Sequence, residues 1–375
     1  MPENKKQHYV PQFLLKNFHN SQSNKAISMY NIPNNLCVQS TSISKQACRD
    51  YFYSEDTDVE KILSIAESDA NGIIKKIIQS VSIPGVEDNE YPKLLNFITL
   101  QLYRTKYIMD DVQAYHEQIA KIKKDMIESH YPEKHLERYQ IKVNINKVKI
   151  LFRFSLSSPL LSDLMMLILV NKTTKPFVIS DNPVIVHNPL LFEKFNGNTE
   201  GICQIGTCMF LPISPKLCLL LYDSYYYGIR NDNKVVVLNQ EKDVFSLNIL
   251  QCLNADINIF TNDTKYLPEV ERIYLEHETY KLHKNHENIV IPQTLESIDG
   301  ETINDTYVTK NMKHTKYVEL SFIKKKRLLS DKRYSIGDCI RNPALVDSVK
   351  DDINWIMENI RTGVIQSKYH RLEFL

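Results

Sequence analysis

The stretch from residue 7 to residue 18 constrains this chain most, because it places many buried-type side chains beside a chain end. Chain ends are usually frayed unless other residues hold them. Val10-Pro11 favours an extended residue before the proline and a helix that begins at it. The apolar residues that follow share one helical face: Phe13, Leu14 and Phe18. The sequence therefore predicts an extended segment that ends at His8, and then a short helix docked on residues further along the chain.

The composition is that of an ordinary globular protein. The 375 residues allow one large domain or two to three ordinary ones, and 43% hydrophobic with 24% charged residues is a normal balance. Glycine is scarce, with 9 residues, which argues against glycine-rich nucleotide-binding loops. Because the net charge is +1, any binding of nucleic acid must come from a local basic patch.

Cysteine usage and hydropathy predict a cytoplasmic protein. The chain has 7 cysteines, an odd number, and contains no Cys-x-x-Cys motif. This pattern is typical of a protein whose thiols stay reduced. The first residues lack the apolar core of a signal peptide. The most hydrophobic run, Leu160 to Val170, is too short to span a bilayer. We expect a buried core helix there, and no membrane partner.

Helical periodicity covers much of the first half. One amphipathic pattern runs from Thr57 to about residue 81. The next begins at Pro92 and meets no further proline until Pro132, so an unbroken helix there would be about 55 Å long. Its first half is apolar and its second half polar. This polar end is either a solvated face or an arm for a second copy or a protein partner.

After residue 175 the pattern changes to short β-strands. We predict strands near residues 177–179, 184–186, 209–213, 217–222 and 235–238, then a helix at 240–254 and a strand at 257–260. The prediction is an α+β fold. A helical part, residues 1–175, packs on a mostly antiparallel sheet part, residues 176–285. A smaller β-rich C-terminal module covers residues 286–375 and ends in a helix.

Three pieces of the sequence together resemble an uncharacterised, mainly bacterial family known as domain of unknown function 4238. The pieces are HYVPQFLLKNF from His8, QLYRTK from Gln101 and FVISDNPV from Phe177. The resemblance covers roughly residues 7 to 260 and departs from the family pattern at Lys106, where we expect proline. The family implies no particular reaction, so function must be argued from individual residues.

Four polar residues stand out as candidate catalytic groups: His8, Gln12, Arg104 and Asp181. Imidazole moves protons near neutral pH, and Gln12 is placed to orient a substrate or the His8 ring. Arg104 shares the apolar helix face of Phe97, so it needs an anionic partner. Three of the four have a structural alternative: His8 pins the chain end, Arg104 forms a buried ion pair, or Asp181 caps a turn.

The partner of Arg104 is either a carboxylate or a ligand phosphate. The candidate carboxylates are Asp50, Glu60 and Asp181. Asp50 and Glu60 are also weak candidates for binding Mg²⁺, with Asp181 and with Glu67, which shares a helix face with Glu60. Alternatively, these carboxylates are structural.

Residues suited to substrate binding lie far apart in the sequence. Tyr53 either stacks on a base or fills the core. The basic run Lys324, Lys325, Lys326 and Arg327, with Lys332 and Arg333 beyond it, either meets phosphates or protects the edge of a strand.

We predict that the N-terminal segment brings His8 and Gln12 close to Arg104 and Asp181. The function that this grouping favours is a nucleic-acid-directed hydrolase, an effector of bacterial anti-phage defence, with His8 as acid or base and Arg104 on a phosphate. The alternative is a non-enzymatic interaction or regulatory component whose polar cluster braces the fold.

Overall fold

The protein has an α+β architecture in a computed structural model. The structure describes residues 5–21, 23–54, 57–130, 145–195, 201–281, 289–296, 302–310, 316–327 and 339–361. Within these ranges the α-helices are α1 (Gln12–Lys16), α2 (Thr57–Ser80), α3 (Glu90–Tyr103), α4 (Lys106–His130), α5 (Lys147–Ser155), α6 (Pro189–Phe195), α7 (Glu241–Asn254), α8 (Leu267–His277) and α9 (Pro343–Arg361).

The strands are short, as the frequent turn residues predict. In chain order they are β1 (Lys6–His8), β2 (Ala26–Asn31), β3 (Leu36–Ser42), β4 (Cys48–Asp50), β5 (Met165–Asn171), β6 (Ile179–Ser180), β7 (Ile185–His187), β8 (Cys208–Ser214), β9 (Leu217–Tyr222), β10 (Tyr227–Gly228), β11 (Val235–Leu238), β12 (Asn258–Thr261), β13 (Ile289–Glu296), β14 (Thr302–Lys310) and β15 (Lys324–Lys325).

Two larger sheets form the centre. One has the strand order β11-β5-β9-β8-β7, and the other has the order β3-β2-β12-β6. Strand β11 pairs with β5 in parallel, and the remaining pairs in these two sheets are antiparallel. The predicted α+β class with a mostly antiparallel sheet is therefore confirmed.

The first of these sheets lies between two apolar cores. Side chains of β5 alternate between them, with Met166, Ile168 and Val170 in the first core and Leu167 and Leu169 in the second. Such alternation is what a strand with both faces covered requires. The first core also contains side chains of α1, α2, α3 and α5, and the second contains side chains of α6, α7 and α8. The central sheet is thus covered by helices on both faces.

The core helix predicted at residues 160–170 is wrong. Residues Ser158–Leu161 form a 3-10 turn, and strand β5 follows at Met165. A strand buried on both faces reads as an unbroken apolar run, so its periodicity cannot be told from that of a buried helix.

Because β5 and β2 pair with strands from beyond residue 175, the helical and sheet parts are not separated at that boundary.

The long helix predicted from Pro92 is broken at Arg104. Helix α3 ends at Tyr103, and α4 begins at Lys106. The Tyr53 hydroxyl donates to the carbonyl of Arg104 at 2.8 Å, so this carbonyl is satisfied from outside the helix. Lys106 is the first residue of α4, a position that suits proline, which explains the proline expected there.

The C-terminal region shares the second core with the residues before it. Val318, Leu320 and Cys339 are buried there. The Arg341 guanidinium donates to both Asp163 carboxylate oxygens, at 2.8 and 2.9 Å, and to the Leu160 carbonyl at 2.8 Å. These three buried residues of the predicted module 286–375 therefore pack in one core with residues from before position 286. Residues 317–323 form no strand, whereas Lys324–Lys325 do.

Helix lengths and hydropathy bear on membrane insertion. None of the helices in the described ranges is both long and apolar enough to cross a bilayer.

Acid should weaken the fold through His187. This residue is 4% exposed, and its Nε2–H donates to the carbonyl of Val318 at 3.2 Å. Burial lowers the pKa of His187 to about 4, against 6.5 for an ordinary histidine. Between these values the unfolded chain binds a proton that the folded protein does not, so stability falls as the pH falls from 6.5 to 4.

We expect this loss to be about 3 kcal/mol. Denaturant titrations across this pH range should show it as the difference in stability between the wild type and His187→Gln, because the variant keeps an N–H donor but does not titrate and all other groups titrate alike in both proteins. Parallel pH curves for the two proteins would mean that His187 does not carry the effect.

Candidate functional site

The N-terminal segment is bound through a buried glutamine. Strand β1 pairs antiparallel with β4, so that His8 lies opposite Cys48. The side chain of Gln7 is buried: its amide donates to the Ser54 carbonyl at 2.7 Å, and its oxygen accepts from the Tyr53 N–H at 2.7 Å. A 3-10 turn, Ile43–Lys45, precedes β4.

Two main-chain carbonyls dock the segment on the end of α3. The Arg104 Nη2 donates to the carbonyl of His8 at 2.5 Å. The Gln101 amide donates to the carbonyl of Tyr9 at 3.0 Å. Gln101 and Arg104 are three residues apart and therefore lie on one face of α3. The segment is thus held by its backbone, which leaves the ring of His8 outside these hydrogen bonds.

Arg104 is the buried cation of the site. Its side chain is 1% exposed. The Nη2 atom donates to Glu67 Oε1 at 2.7 Å, and Nε donates to the Tyr53 hydroxyl at 3.4 Å. Burial lowers the pKa of the guanidinium, but Tyr53 and Glu67 raise it by more, so its pKa lies above the ordinary value. Arg104 is therefore charged at every relevant pH. Its Nη1 is buried and has no hydrogen-bond partner among the described residues.

The ring of His8 reaches the surface of the site. It is half-buried, and Nε2 lies 3.4 Å from the carbonyl oxygen of Ser44. Burial lowers the pKa of His8 below 6.5, and Arg104 contributes in the same direction, whereas Ser44 and Glu67 oppose the shift. The imidazole is therefore neutral at pH 7, which is the form that accepts a proton.

Two carboxylates of α2 join this group. Glu67, 26% exposed, is where the hydrogen-bond network of Arg104 meets solvent. Glu60 is half-buried, and burial together with the negative charge of Glu67 raises its pKa, although Arg104 opposes this rise. A carboxyl with a raised pKa beside an ionised one is a pairing that acid–base chemistry uses.

A family described as Protein of unknown function (DUF4238) matches residues 6–265. The chain belongs to this family. A search of curated proteins and a search of solved structures gave no match. The DUF4238 region contains the whole polar group around Arg104 and ends before the basic run.

Asp181 is not part of the hydrogen-bond network of Arg104 in this DUF4238 protein. Its carboxylate is 1% exposed and accepts from the backbone N–H groups of Asp256, Ile257 and Asn258 at 2.9, 2.8 and 3.2 Å. Burial and the Asp256 charge raise the pKa of Asp181 to about 6, although the three hydrogen bonds from backbone N–H groups lower it. The carboxylate thus braces the loop at residues 256–258 and forms no hydrogen bond with His8 or Arg104. Because Lys106 pairs with Asp256 of this loop at 3.1 Å, the loop lies beside the start of α4. The predicted closeness of Asp181 to His8 and Arg104 stays a prediction.

The other predicted residues are distributed unevenly. Gln12, the first residue of α1, is half-exposed and has no hydrogen bond to His8 or Arg104. Tyr53 is buried and bonded to Arg104, so it forms part of the network. Asp50 pairs with Lys5 at 3.0 Å on the surface. Within the described ranges, no three His, Cys, Asp or Glu side chains are grouped in a way that could hold a metal ion.

Sequence reasoning missed two members of the network and misassigned a third. Gln7 and Gln101 were not singled out, although a glutamine three residues before Arg104 on the same face was a usable signal. Glu67 was proposed only as a metal ligand, whereas it is the carboxylate that pairs with Arg104. Lys332 and Arg333 lie outside the described residues.

Proposed function

We propose that this DUF4238 protein is a nucleic-acid-directed hydrolase in which the His8 imidazole is the general base. The supporting observation is that the backbone and the side chain of His8 have different roles. Its carbonyl accepts a hydrogen bond from Arg104 and holds the strand, while its half-buried ring carries a lowered pKa. A neutral, solvent-reachable imidazole beside carboxylates is suited to take a proton from water.

In this reaction water gives a proton to His8 and attacks the phosphorus of a phosphodiester. We assign protonation of the leaving oxygen to Glu60, because its carboxyl has a raised pKa. Arg104 is 1% exposed, so we assign it to positioning His8 and Glu67 rather than to contact with phosphate. Gln12 orients the substrate.

His8→Ala is expected to lower kcat/KM for nucleic-acid hydrolysis by at least about 100-fold. The thermal midpoint should move by less than about 2 °C, because alanine keeps the carbonyl that Arg104 binds. The measurement uses the full chain with single- and double-stranded DNA and RNA, each with Mg²⁺ and with EDTA.

The matched control is His19→Ala, at an exposed histidine in the same N-terminal segment. It should retain wild-type hydrolysis. Hydrolysis by His8→Ala at the wild-type rate would remove His8 from the mechanism. If the wild type cleaves none of the substrates in either buffer, the hydrolase proposal itself is wrong.

The second candidate is a non-enzymatic interaction or regulatory component whose polar cluster braces the fold. The burial of Arg104, with Nη2 engaged by His8 and Glu67, favours it. The two proposals differ in a bacterial phage-plaque assay, since anti-phage defence is the setting we propose. A hydrolase loses protection in His8→Ala, whereas a brace keeps it. A protein partner on the polar half of α4 remains a prediction.

A further inference from the structure

The basic run is joined to an aromatic turn on the second core, apart from the group around Arg104. Lys325 of β15 pairs with Tyr227 of β10, and Lys324 pairs with Gly228. Tyr227 is buried in the second core, whereas Tyr53 belongs to the first. We call Tyr225, Lys324, Lys326 and Arg327 the basic-aromatic surface.

Specific contacts hold this surface in place. The Arg327 guanidinium carbon lies 3.6 Å from the centre of the Tyr225 ring, and Tyr225 is nevertheless 57% exposed. The Lys326 ammonium donates to the carbonyl of Ser224 at 3.1 Å. Gly228 leaves room for the Lys326 stem, because an added Cβ would lie 3.0 Å from the Lys326 Cε. The cations are therefore fixed over the turn rather than spread in solvent.

Among the described residues, no carboxylate neutralises the positive charge of this surface. Lys324, Lys326 and Arg327 are exposed and form no ion pair with a carboxylate in the described part of the chain. The neighbouring Asp223 is buried, and its carboxylate accepts from the N–H groups of Gly206 and Tyr225. Lysines alone are enough to prevent an edge strand from pairing with another chain. This alternative does not explain an exposed aromatic ring stacked on an arginine.

We infer that the basic-aromatic surface binds single-stranded nucleic acid. Lys324 and Lys326 contact successive phosphates, and an unpaired base stacks on the guanidinium plane that Arg327 presents above Tyr225. Stacking on aromatic and guanidinium planes requires bases that are free of a duplex, which gives the preference for single strands. This inference does not depend on the reaction at His8, because the two groups of residues lie on different cores.

Fluorescence anisotropy tests the inference with the full chain and a labelled single strand of about 20 nucleotides, enough to cover a typical site. His8→Ala is the background, so that binding is measured without cleavage. The triple variant K324S/K326S/R327S should weaken binding at low salt by about tenfold or more. It should also lower the slope of log K against log salt by about 1.4, as loss of the two phosphate contacts of Lys324 and Lys326 predicts.

Tyr225→Ala should weaken binding by about tenfold and leave the salt slope unchanged, because it removes stacking and no charge. The charge-matched control K75S/K265S/K350S removes three exposed lysines from elsewhere and should keep at least about half of the wild-type affinity. Thermal midpoints check that each variant is folded.

Three results would overturn the inference. One is equal binding by the wild type and the triple variant, and another is tighter binding of the matching duplex than of the single strand. The third is equally tight binding of polyglutamate, which would identify a partner chosen by charge alone. Binding that survives in His8→Ala without cleavage supports the inference even if the hydrolase proposal fails.

Discussion

Replacing Arg104 with alanine should lower the free energy of unfolding by about 4 kcal/mol. The substitution leaves the His8 carbonyl, the Tyr53 hydroxyl and the Glu67 carboxylate without their shared partner. Glu67→Gln should cost less, because Glu67 is 26% exposed and water can replace its contact. Urea titration measures both values.

The control for this prediction is Arg153→Ala, at an exposed arginine of α5, which should change stability by less than about 0.5 kcal/mol. Hydrogen exchange adds a local measurement, since the Tyr9 amide donates to the Ala47 carbonyl at 2.9 Å and should lose protection when the segment loosens. If Arg104→Ala is as stable as the control, Arg104 does not hold the segment.

A chain that ends at residue 315 should lose cooperative folding. It lacks Val318, Leu320 and Cys339, which are almost completely buried, and burial of such side chains contributes about 5 kcal/mol or more in total. The loss also leaves Asp243, 3% exposed, without the Ser321 N–H and hydroxyl that it accepts from at 2.8 and 2.6 Å. A penalty of this size is comparable with the total stability of many domains.

Thermal unfolding and near-UV circular dichroism of the purified chain 1–315 provide the measurement. The control is the chain 1–361, which retains every described contact and should unfold like the wild type. A cooperative transition at the wild-type temperature in chain 1–315 would instead indicate that the C-terminal region is an independent module.

The sequence predicted elements well where one face is apolar and the other wet. Helix α2 and strand β11 were predicted within a few residues for this reason. The sequence also predicted β8 and β9, which are buried on both faces, because Ser-Pro-Lys at 214–216 marks a turn between two apolar runs. It failed at β5 because both faces are buried and the alternation disappears. It failed at the end of α3 because the break depends on the Tyr53 hydroxyl, which reaches Arg104 from fifty-one residues earlier in the chain.

The buried cation of the site could be predicted from the sequence, whereas its partner could not. Burial of Arg104 and its need for a carboxylate follow from one helix face and the cost of an unpaired charge. The identity of that carboxylate, Glu67, depends on how α2 and α3 pack, which local patterns do not encode. The same limit applies to Asp181, whose type suited a site but whose oxygens are used by the backbone of residues 256–258.

The pH dependence of kcat/KM for hydrolysis of single-stranded nucleic acid tests the central claim most directly. If the half-buried ring of His8 is the base, kcat/KM has a rising limb with an apparent pKa below the ordinary 6.5, since burial lowers the pKa of this ring. A falling limb follows where Glu60 loses the proton that it gives to the leaving oxygen. His8→Ala then loses this rising limb while remaining folded. A rising limb of unchanged height and midpoint in His8→Ala would show that another group is the base and would contradict the account.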